Sequence, residues 1–248
     1  MGRLTRREFA KAVLRVLGPL ALLRELGARE ALAAPARIAA GVLLARADEA
    51  SRALASGAAR PAEWQARVEE LAARADLSDL RRAVDLDRLS RTMTVARDWA
   101  RGEHLRLGPF RFGTQVFGFA RGAAITPHGH RNMASMHLVI GGELRCRQYD
   151  RVRDEPGHLV LRPGLDRACR SGDPTSISSE SRNVHWFVAT SDTAFTFDVV
   201  LDNLDPALGR PYFIDLVDPS GAEKLPDGTL RARRIDWDES LRLYAGRA

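Results

Sequence analysis

The spacing of apolar side chains divides the sequence into two regions that meet at about residue 105. Residues 37–104 are rich in Ala, Leu, Arg and Glu, and their apolar residues recur with the period of an amphipathic helix. An example of this spacing is given by Trp64, Val68, Leu71 and Ala72. We predict three or four helices in this region, and we expect them to pack on the second half of the chain.

Residues 105–248 show a different pattern, in which short runs of β-branched and aromatic residues alternate with glycines. The clearest runs are Met136–Ile140, Glu143–Tyr149, Val184–Ala189 and Ala194–Leu201. The Gly141-Gly142 pair between the first two runs predicts a hairpin. Many short strands without an intervening helical pattern predict a sandwich or barrel of the jelly-roll kind. The predicted fold class is therefore mainly β, a jelly-roll β-barrel preceded by an N-terminal α-helical region.

Residues 1–36 support two interpretations, which the sequence leaves open. The Arg6-Arg7 pair, followed by the mostly apolar stretch Val13–Leu26 and the small residues of Ala31–Ala36, resembles a twin-arginine export signal. The alternative is an ordinary amphipathic helix that begins after Thr5 as its N-cap. A functional signal would place the protein in the periplasm, and otherwise we expect it in the cytoplasm.

The chain has 248 residues and a formal net charge of +6, and nearly all of its basic residues are arginines. These arginines are interleaved with acidic residues, as in Arg151-Val-Arg-Asp-Glu155, and no basic run with interleaved aromatic residues is present. The pattern predicts a solvated surface and no nucleic-acid partner. No apolar run reaches the roughly 18 residues that span a bilayer, so we predict no stable membrane span.

The two cysteines, Cys146 and Cys169, could form one disulfide. However, the sequence has no disulfide framework and no CxxC metal site. Cys146 alternates with its neighbours in a strand-like run, which favours a buried, reduced thiol.

Three of the six histidines have a spacing that suits a metal site. His128 and His130 are separated by one residue, so on a strand both imidazoles point to the same face. His185 lies in another strand-like run and can supply a third ligand if that strand lies opposite the first. Imidazole is a borderline ligand that suits Fe, Zn, Cu and Ni. The alternative is surface or hydrogen-bonded core histidines, which is the more common case for a His-x-His pair alone.

The glycines on either side of the first two histidines are spaced as in a known family. Gly122, His128, His130 and Gly142 resemble the first motif of the cupin superfamily. Cupins usually place a glutamate ligand at the position of Ser135, so the resemblance implies a three-histidine site, which is characteristic of the thiol dioxygenase branch. Five stretches within residues 110–216 resemble in particular the cysteamine dioxygenases and plant cysteine oxidases: Thr126–His130, Gly142–Asp150, Asn183–Phe187, Phe197–Val199 and Pro211–Phe213.

The resemblance implies that His128, His130 and His185 hold a non-haem Fe(II). It also implies a dioxygenase that uses O2 to oxidise a thiol to a sulfinic acid, the thiol being a small aminothiol or the N-terminal cysteine of a peptide. Asp198 and Tyr212 match residues of the same group and are the candidate catalytic residues. Asp198 would orient a histidine or the substrate, or else it faces solvent. Tyr212 is alternatively a residue of the core or of the pocket rim.

Other side chains near these positions could complete a pocket. His137 is an extra pocket acid or base, or a hydrogen-bonded core residue, and we favour the second interpretation. Trp186 follows His185 directly and is expected to wall the pocket. Four arginines lie close enough in sequence to bind a substrate carboxylate, although most are expected to be solvated: Arg121, Arg131, Arg145 and Arg147.

Two other classes of function remain open. One is a non-catalytic cupin that binds a metal or a ligand, for example as a sensor. The other is a cupin enzyme of different chemistry, such as a zinc or nickel isomerase or a dioxygenase of carbon substrates. In each case residues 105–248 form the metal-binding domain.

Overall fold

The computed structural model describes residues 36–93 and 99–246 of the chain. The described residues from Ile38 onward form one compact unit. The export signal or helix predicted around Arg6-Arg7 lies outside the described residues.

Four helices come first in the described chain: α1 Ala40–Ala55, α2 Pro61–Ala73, α3 Leu77–Ala83 and α4 Leu86–Met93. Proline opens α2, where its missing N–H leaves no helical hydrogen bond unmade. α3 begins after Asp76, whose carboxylate accepts hydrogen bonds from the N–H groups of Ser78 and Asp79. None of the described helices is long and apolar enough to cross a membrane.

Eleven strands and a C-terminal helix follow among the described residues. They are β1 Arg101–Leu105, β2 Gly113–Ala120, β3 Ala124–Arg131, β4 Met133–Gly141, β5 Glu143–Glu155, β6 His158–Arg170, β7 Pro174–Ile177, β8 Val184–Ala189, β9 Thr193–Asp202, β10 Phe213–Lys224, β11 Leu230–Arg234 and α5 Trp237–Tyr244. Strands β1, β2, β9, β4 and β7 form a sheet in that order, and β10, β11, β6, β5, β8 and β3 close into a barrel. The predicted fold class, mainly β with a barrel after an N-terminal helical region, is confirmed.

The helices pack their apolar faces against the five-stranded sheet. Their fully buried residues include Leu43, Trp64, Leu71 and Leu80. These form one hydrophobic cluster with residues of β4 and β9, among them Met136, Leu138, Phe197 and Val199. Each such side chain stabilises the fold by roughly 1.5–3 kcal/mol on burial, so the helical layer is a substantial part of the core.

The Gly141-Gly142 pair does not form the predicted hairpin, because β4 and β5 belong to different sheets. β4 pairs with β7 and β9, whereas β5 pairs with β6 and β8. Gly142 has a φ of +68°, and a Cβ there would lie 2.0 Å from the carbonyl oxygen of Thr193, so only glycine fits. The turn therefore carries the chain from one sheet to the other.

A second hydrophobic cluster lies between the two sheets, since it joins residues of the barrel strands with Phe119, Val139 and Ala194 of the five-stranded sheet. It includes Leu144 and Phe187 together with both cysteines, which are buried and free. The prediction of a buried, reduced Cys146 agrees with this arrangement. Phe187 of this cluster lies on β8, the strand that also carries His185.

Candidate metal centre

Two neighbouring strands of the barrel bring three histidines together. His128 and His130 lie on β3, and both line the same cavity. β8 runs antiparallel to β3, and its His185 is registered directly opposite His128. The ring centroid of His128 lies 4.5 Å from that of His130 and 4.3 Å from that of His185. The pairing of β3 with β8 therefore brings His185 next to the other two histidines, which the spacing in the sequence alone could not establish.

The ring nitrogens of the three histidines are close enough to share one ion. Each residue offers one nitrogen, and these atoms lie within 4.8 Å of one another. Three nitrogens bound to one ion at about 2.1 Å would be roughly 3–3.5 Å apart, so binding an ion would draw the three imidazoles closer together. Among the described residues there is no other group of three or more His, Cys, Asp or Glu side chains with this proximity.

Burial keeps the three imidazoles neutral. Desolvation lowers the pKa of His128 to about 4. Desolvation, aided by the neighbouring imidazoles, lowers the pKa of His130 and of His185 well below the ordinary value. A neutral imidazole offers its lone pair to a metal without first losing a proton, so the set is ready to bind at neutral pH.

The hydrogen bonds of the rings also fit a metal. His128 Nδ1 lies 2.8 Å from the Thr126 carbonyl oxygen, which can only accept, so the proton sits on Nδ1 and the Nε2 lone pair is free. Nδ1 of His130 and Nδ1 of His185 are buried without a hydrogen-bond partner among the described residues. Uncharged, buried nitrogen donors suit Fe(II) or Zn(II), whereas Mg²⁺ and Ca²⁺ prefer oxygen ligands.

Ser135, which stands where the cupin-like motif in the sequence would have a glutamate, shares the cavity of these histidines. It is buried on β4. Its hydroxyl has no hydrogen-bond partner in the described part of the chain. The protein therefore presents a short hydroxyl, and not a carboxylate, at that position.

A buried aspartate–histidine pair adjoins the three histidines. Asp198 on β9 is registered with His137 on β4, and His137 Nδ1 lies 2.9 Å from the Asp198 carboxylate. Asp198 is 0 % exposed, so the alternative that it faces solvent is wrong. The His137 ring lies 5.0 Å from that of His185, and both members of the pair line the cavity. His137 is thus hydrogen-bonded in the core and also borders the cavity.

Asn183 holds the backbone of His130, a role that the sequence did not indicate. Its amide nitrogen donates to the His130 carbonyl at 2.7 Å, and its amide oxygen accepts from the His130 N–H at 3.3 Å. The same amide nitrogen donates to the Ser178 carbonyl at 3.0 Å. Asn183 is therefore placed to fix the end of β3 that carries a candidate ligand.

The three histidines open into a cavity of about 400 Å³. Tyr212 lines its mouth and is 47 % exposed, so it is a rim residue and not a core residue. Two carboxylates, Asp198 and Asp202, line the cavity, whereas no lysine or arginine is among its lining residues in the described chain. The four arginines considered for a substrate carboxylate instead pair with Asp192, Asp215 or Asp166.

Trp186 does not wall this cavity, so that prediction is wrong. Side chains alternate between the two faces of a strand, and the residue after the inward-facing His185 must point outward. The Arg147 guanidinium lies over the Trp186 ring at 4.2 Å, and Tyr244 packs beside it. Phe187 returns to the inner face, where its ring contacts those of His185 and His137.

Several lining residues come from segments in which the sequence showed no chemistry. They are His104 on β1, Asp202 at the end of β9, Trp99 before β1 and Trp237 at the start of α5. The topology brings these segments to the cavity, and no local pattern marks them. The exception is Asp202, which lies an even number of residues after Asp198 on one strand and could have been placed on the same face.

No protein-family model matches the chain, and no curated protein matches its sequence. Solved structures with some similarity include procruciferin, an 11S globulin from Brassica napus, at 14% identity over 50% of this chain and 29% of that chain, with a TM-score of 0.37. A recombinant oxalate oxidase in complex with glycolate is 15% identical over 49% of this chain and 57% of that chain, with a TM-score of 0.36. A conserved protein with a double-stranded β-helix domain from Klebsiella pneumoniae is 15% identical over 44% of this chain and 83% of that chain, with a TM-score of 0.33. Similarity at this level carries no argument about activity.

Proposed function

We propose that the protein is a non-haem Fe(II)-dependent dioxygenase that oxidises a thiol to a sulfinic acid. The balanced reaction is RSH + O2 → RSO2H, in which both oxygen atoms end on sulfur. The observation that carries the proposal is the set of three buried, neutral histidines, which opens into a cavity and has Ser135 where a fourth, carboxylate ligand would stand.

The three histidines would hold the ion from one wall and leave its cavity side free for substrate. Bound Fe(II) would supply the redox chemistry with dioxygen and a site for a soft thiolate. The buried walls of the cavity, formed on β3, β4, β8 and β9, limit the access of bulk water and confine the reactants close together.

The charges of the cavity favour a thiol that carries an amine. Asp198 and Asp202 would attract an ammonium group, and within the described part of the chain no lysine or arginine lines the cavity to receive a carboxylate. We therefore infer a small aminothiol or the N-terminal cysteine of a peptide, in preference to a thiol whose only charge is a carboxylate.

We assign the orientation of the substrate to His137 and Asp198. Asp198 accepts the Nδ1–H of His137, which leaves His137 Nε2 as a hydrogen-bond acceptor without a partner among the described residues. Asp198 would position the ring, and His137 would accept a hydrogen bond from the thiol or the amine. Tyr212 would contact the substrate at the mouth of the cavity.

The proposal predicts that anaerobically purified protein contains about one iron per chain and consumes O2 when a thiol is added. His185→Ala should lose both the iron and the turnover, because two imidazoles hold Fe(II) weakly. His158→Ala is the matched control, since His158 lies outside the cavity with Nδ1 3.1 Å from the Pro156 carbonyl oxygen, and it should keep both. Metal analysis and an oxygen electrode measure the two quantities.

Oxygen uptake with a series of different thiols distinguishes the proposed dioxygenase from the alternative functions. Cysteamine and Cys-initiated peptides should support oxygen uptake better than 3-mercaptopropionate does. Bound zinc or nickel with no oxygen uptake would indicate a sensor or an isomerase instead. Oxygen uptake that needs no thiol would indicate a dioxygenase of carbon substrates, and iron retained by His185→Ala would remove that residue from the ligand set.

A further inference from the structure

The mouth of the metal cavity carries an apolar rim. Six large hydrophobic residues of the described chain are exposed, and three of them line this cavity: Tyr212 at 47 %, Ile214 at 48 % and Trp237 at 46 %. Trp237 also packs on Trp99, with ring centroids 4.6 Å apart. Exposed apolar side chains gathered at the mouth of a pocket typically mark a binding surface.

The rim is tied to the strand that carries two of the histidines. Ile214 on β10 is registered with His130, near the end of β3. Trp99 is registered with Ala124, the first residue of β3. Apolar side chains therefore border the cavity near both ends of the ligand strand. Trp99 and Trp237 lie outside the residues that resemble the thiol dioxygenases, so this half of the rim does not come from that resemblance.

The cavity is larger than a small aminothiol requires. Cysteamine has about four non-hydrogen atoms, and at about 30 Å³ for each water-sized group it would occupy roughly 120 Å³. The cavity measures about 400 Å³. Bound cysteamine would therefore leave most of the cavity empty, including the part next to the rim. Space of that kind beside apolar side chains favours an apolar group over water.

We propose that the cavity takes an aminothiol extended by a large apolar group, which lies against the rim of Trp99, Tyr212, Ile214 and Trp237. The inference rests on the proposed function for the thiol group, and it adds a separate binding site for the apolar group of the same substrate. The carboxylates inside the cavity receive the amine, and the rim receives the apolar extension. The rim residues are binding residues and take no part in the chemistry.

The test compares Cys-Phe-amide with Cys-Gly-amide on the iron-loaded protein without oxygen, by isothermal titration calorimetry. Burial of the phenyl group should make Cys-Phe-amide bind about tenfold more tightly, or better. Trp237→Ala and, as a second variant on another element, Ile214→Ser should each reduce this preference at least threefold, while the iron content stays unchanged. Val152→Ala, at an exposed apolar residue away from the cavity, is the matched control and should keep the full preference.

The outcomes separate this inference from the proposed function. Equal affinity for the two amides, or a preference that survives in both rim variants, overturns the apolar site. If Cys-Phe-amide binds preferentially and the variants lose the preference, the apolar site stands even when neither amide supports oxygen uptake, in which case the dioxygenase proposal fails alone. If both amides are oxidised with the same KM, the dioxygenase stands and the apolar site fails.

Discussion

Gly129, between the two histidines of β3, shows how closely the site is packed. A Cβ at this position would lie 3.0 Å from the amide oxygen of Asn183 and 2.9 Å from a methyl carbon of Val184. The glycine therefore lets Asn183 reach the backbone of His130. The spacing of the histidines could be recognised in the sequence, but this contact could not, because Asn183 and His130 lie 53 residues apart and meet only through strand pairing.

Asn183→Ala should weaken metal binding. The change leaves the N–H and carbonyl of His130 without their side-chain partner, at a cost of about 1–3 kcal/mol for each buried group. Loss of the groups that orient a ligand typically costs about 10- to 100-fold in metal affinity. Competition titration with a chelator measures the affinity, and thermal unfolding measures the stability.

Asp76→Ala is the control for a loss of stability alone. It removes the N-cap of α3, a helix that does not line the cavity, and should cost about 1 kcal/mol. Its metal affinity should equal that of the unchanged protein. If both variants lose affinity equally, Asn183 has no specific role in positioning His130.

At the scale of elements, one buried glutamine joins a helix to the candidate metal site. Gln65 of α2 accepts hydrogen bonds from the hydroxyls of Ser178 and Ser181, at 2.6 Å and 2.8 Å. Ser178 in turn accepts from Asn183 through its carbonyl. The sequence predicted an amphipathic helix here, but a polar residue on its buried face gives no indication of its partners.

Gln65→Ala should loosen the segment before β8. The variant leaves two serine hydroxyls without their acceptor, so the segment should open more often. Hydrogen exchange should speed up at least tenfold at the N–H groups of Glu180 and Ser181, which donate to the Ser178 hydroxyl. Exchange at Cys146, in the barrel between β6 and β8, is the internal control and should stay unchanged. An unchanged rate at all three positions would contradict the link.

At the scale of the whole molecule, the sequence predicted the class of fold and the order of helices and strands. Alternation of apolar residues tells which face of a strand is buried, and it placed the two histidines of β3 correctly on one face. It does not tell which strand lies alongside, so the sequence predicts a hairpin at Gly141-Gly142, where the structure has a turn between two sheets. Strand partners depend on long-range closure of the barrel, which no local pattern records.

The buried histidines also make the stability of the whole metal-free molecule depend on pH. The folded pKa of His128 is about 4 against an ordinary 6.5, so below about pH 6.5 the unfolded chain binds protons that the folded chain does not. Stability should therefore fall as the pH falls from 6.5 towards 4, by roughly 3 kcal/mol for His128 alone, since one pKa unit is worth about 1.4 kcal/mol. His130 and His185 act in the same direction.

Urea denaturation of metal-free protein at pH 7 and pH 5 measures this loss. His128→Asn should reduce the difference between the two pH values, because one buried titrating group is gone. His158→Asn, at a partly exposed histidine outside the cavity, should leave the difference as it is. Identical pH dependence in all three proteins would show that the imidazoles of the site are not the cause.

The helical layer limits how much of the chain before the β-strands can be deleted. A truncation to residues 105–248 would remove the helices and expose the apolar face of β4 and β9 that contains Met136 and Phe197. A bare apolar face of this kind promotes aggregation. The same truncation would remove Gln65 and with it the hydrogen bonds to Ser178 and Ser181 in the segment before β8. The shortest fragment that keeps the candidate metal site covered therefore begins at Ile38 and includes the helices.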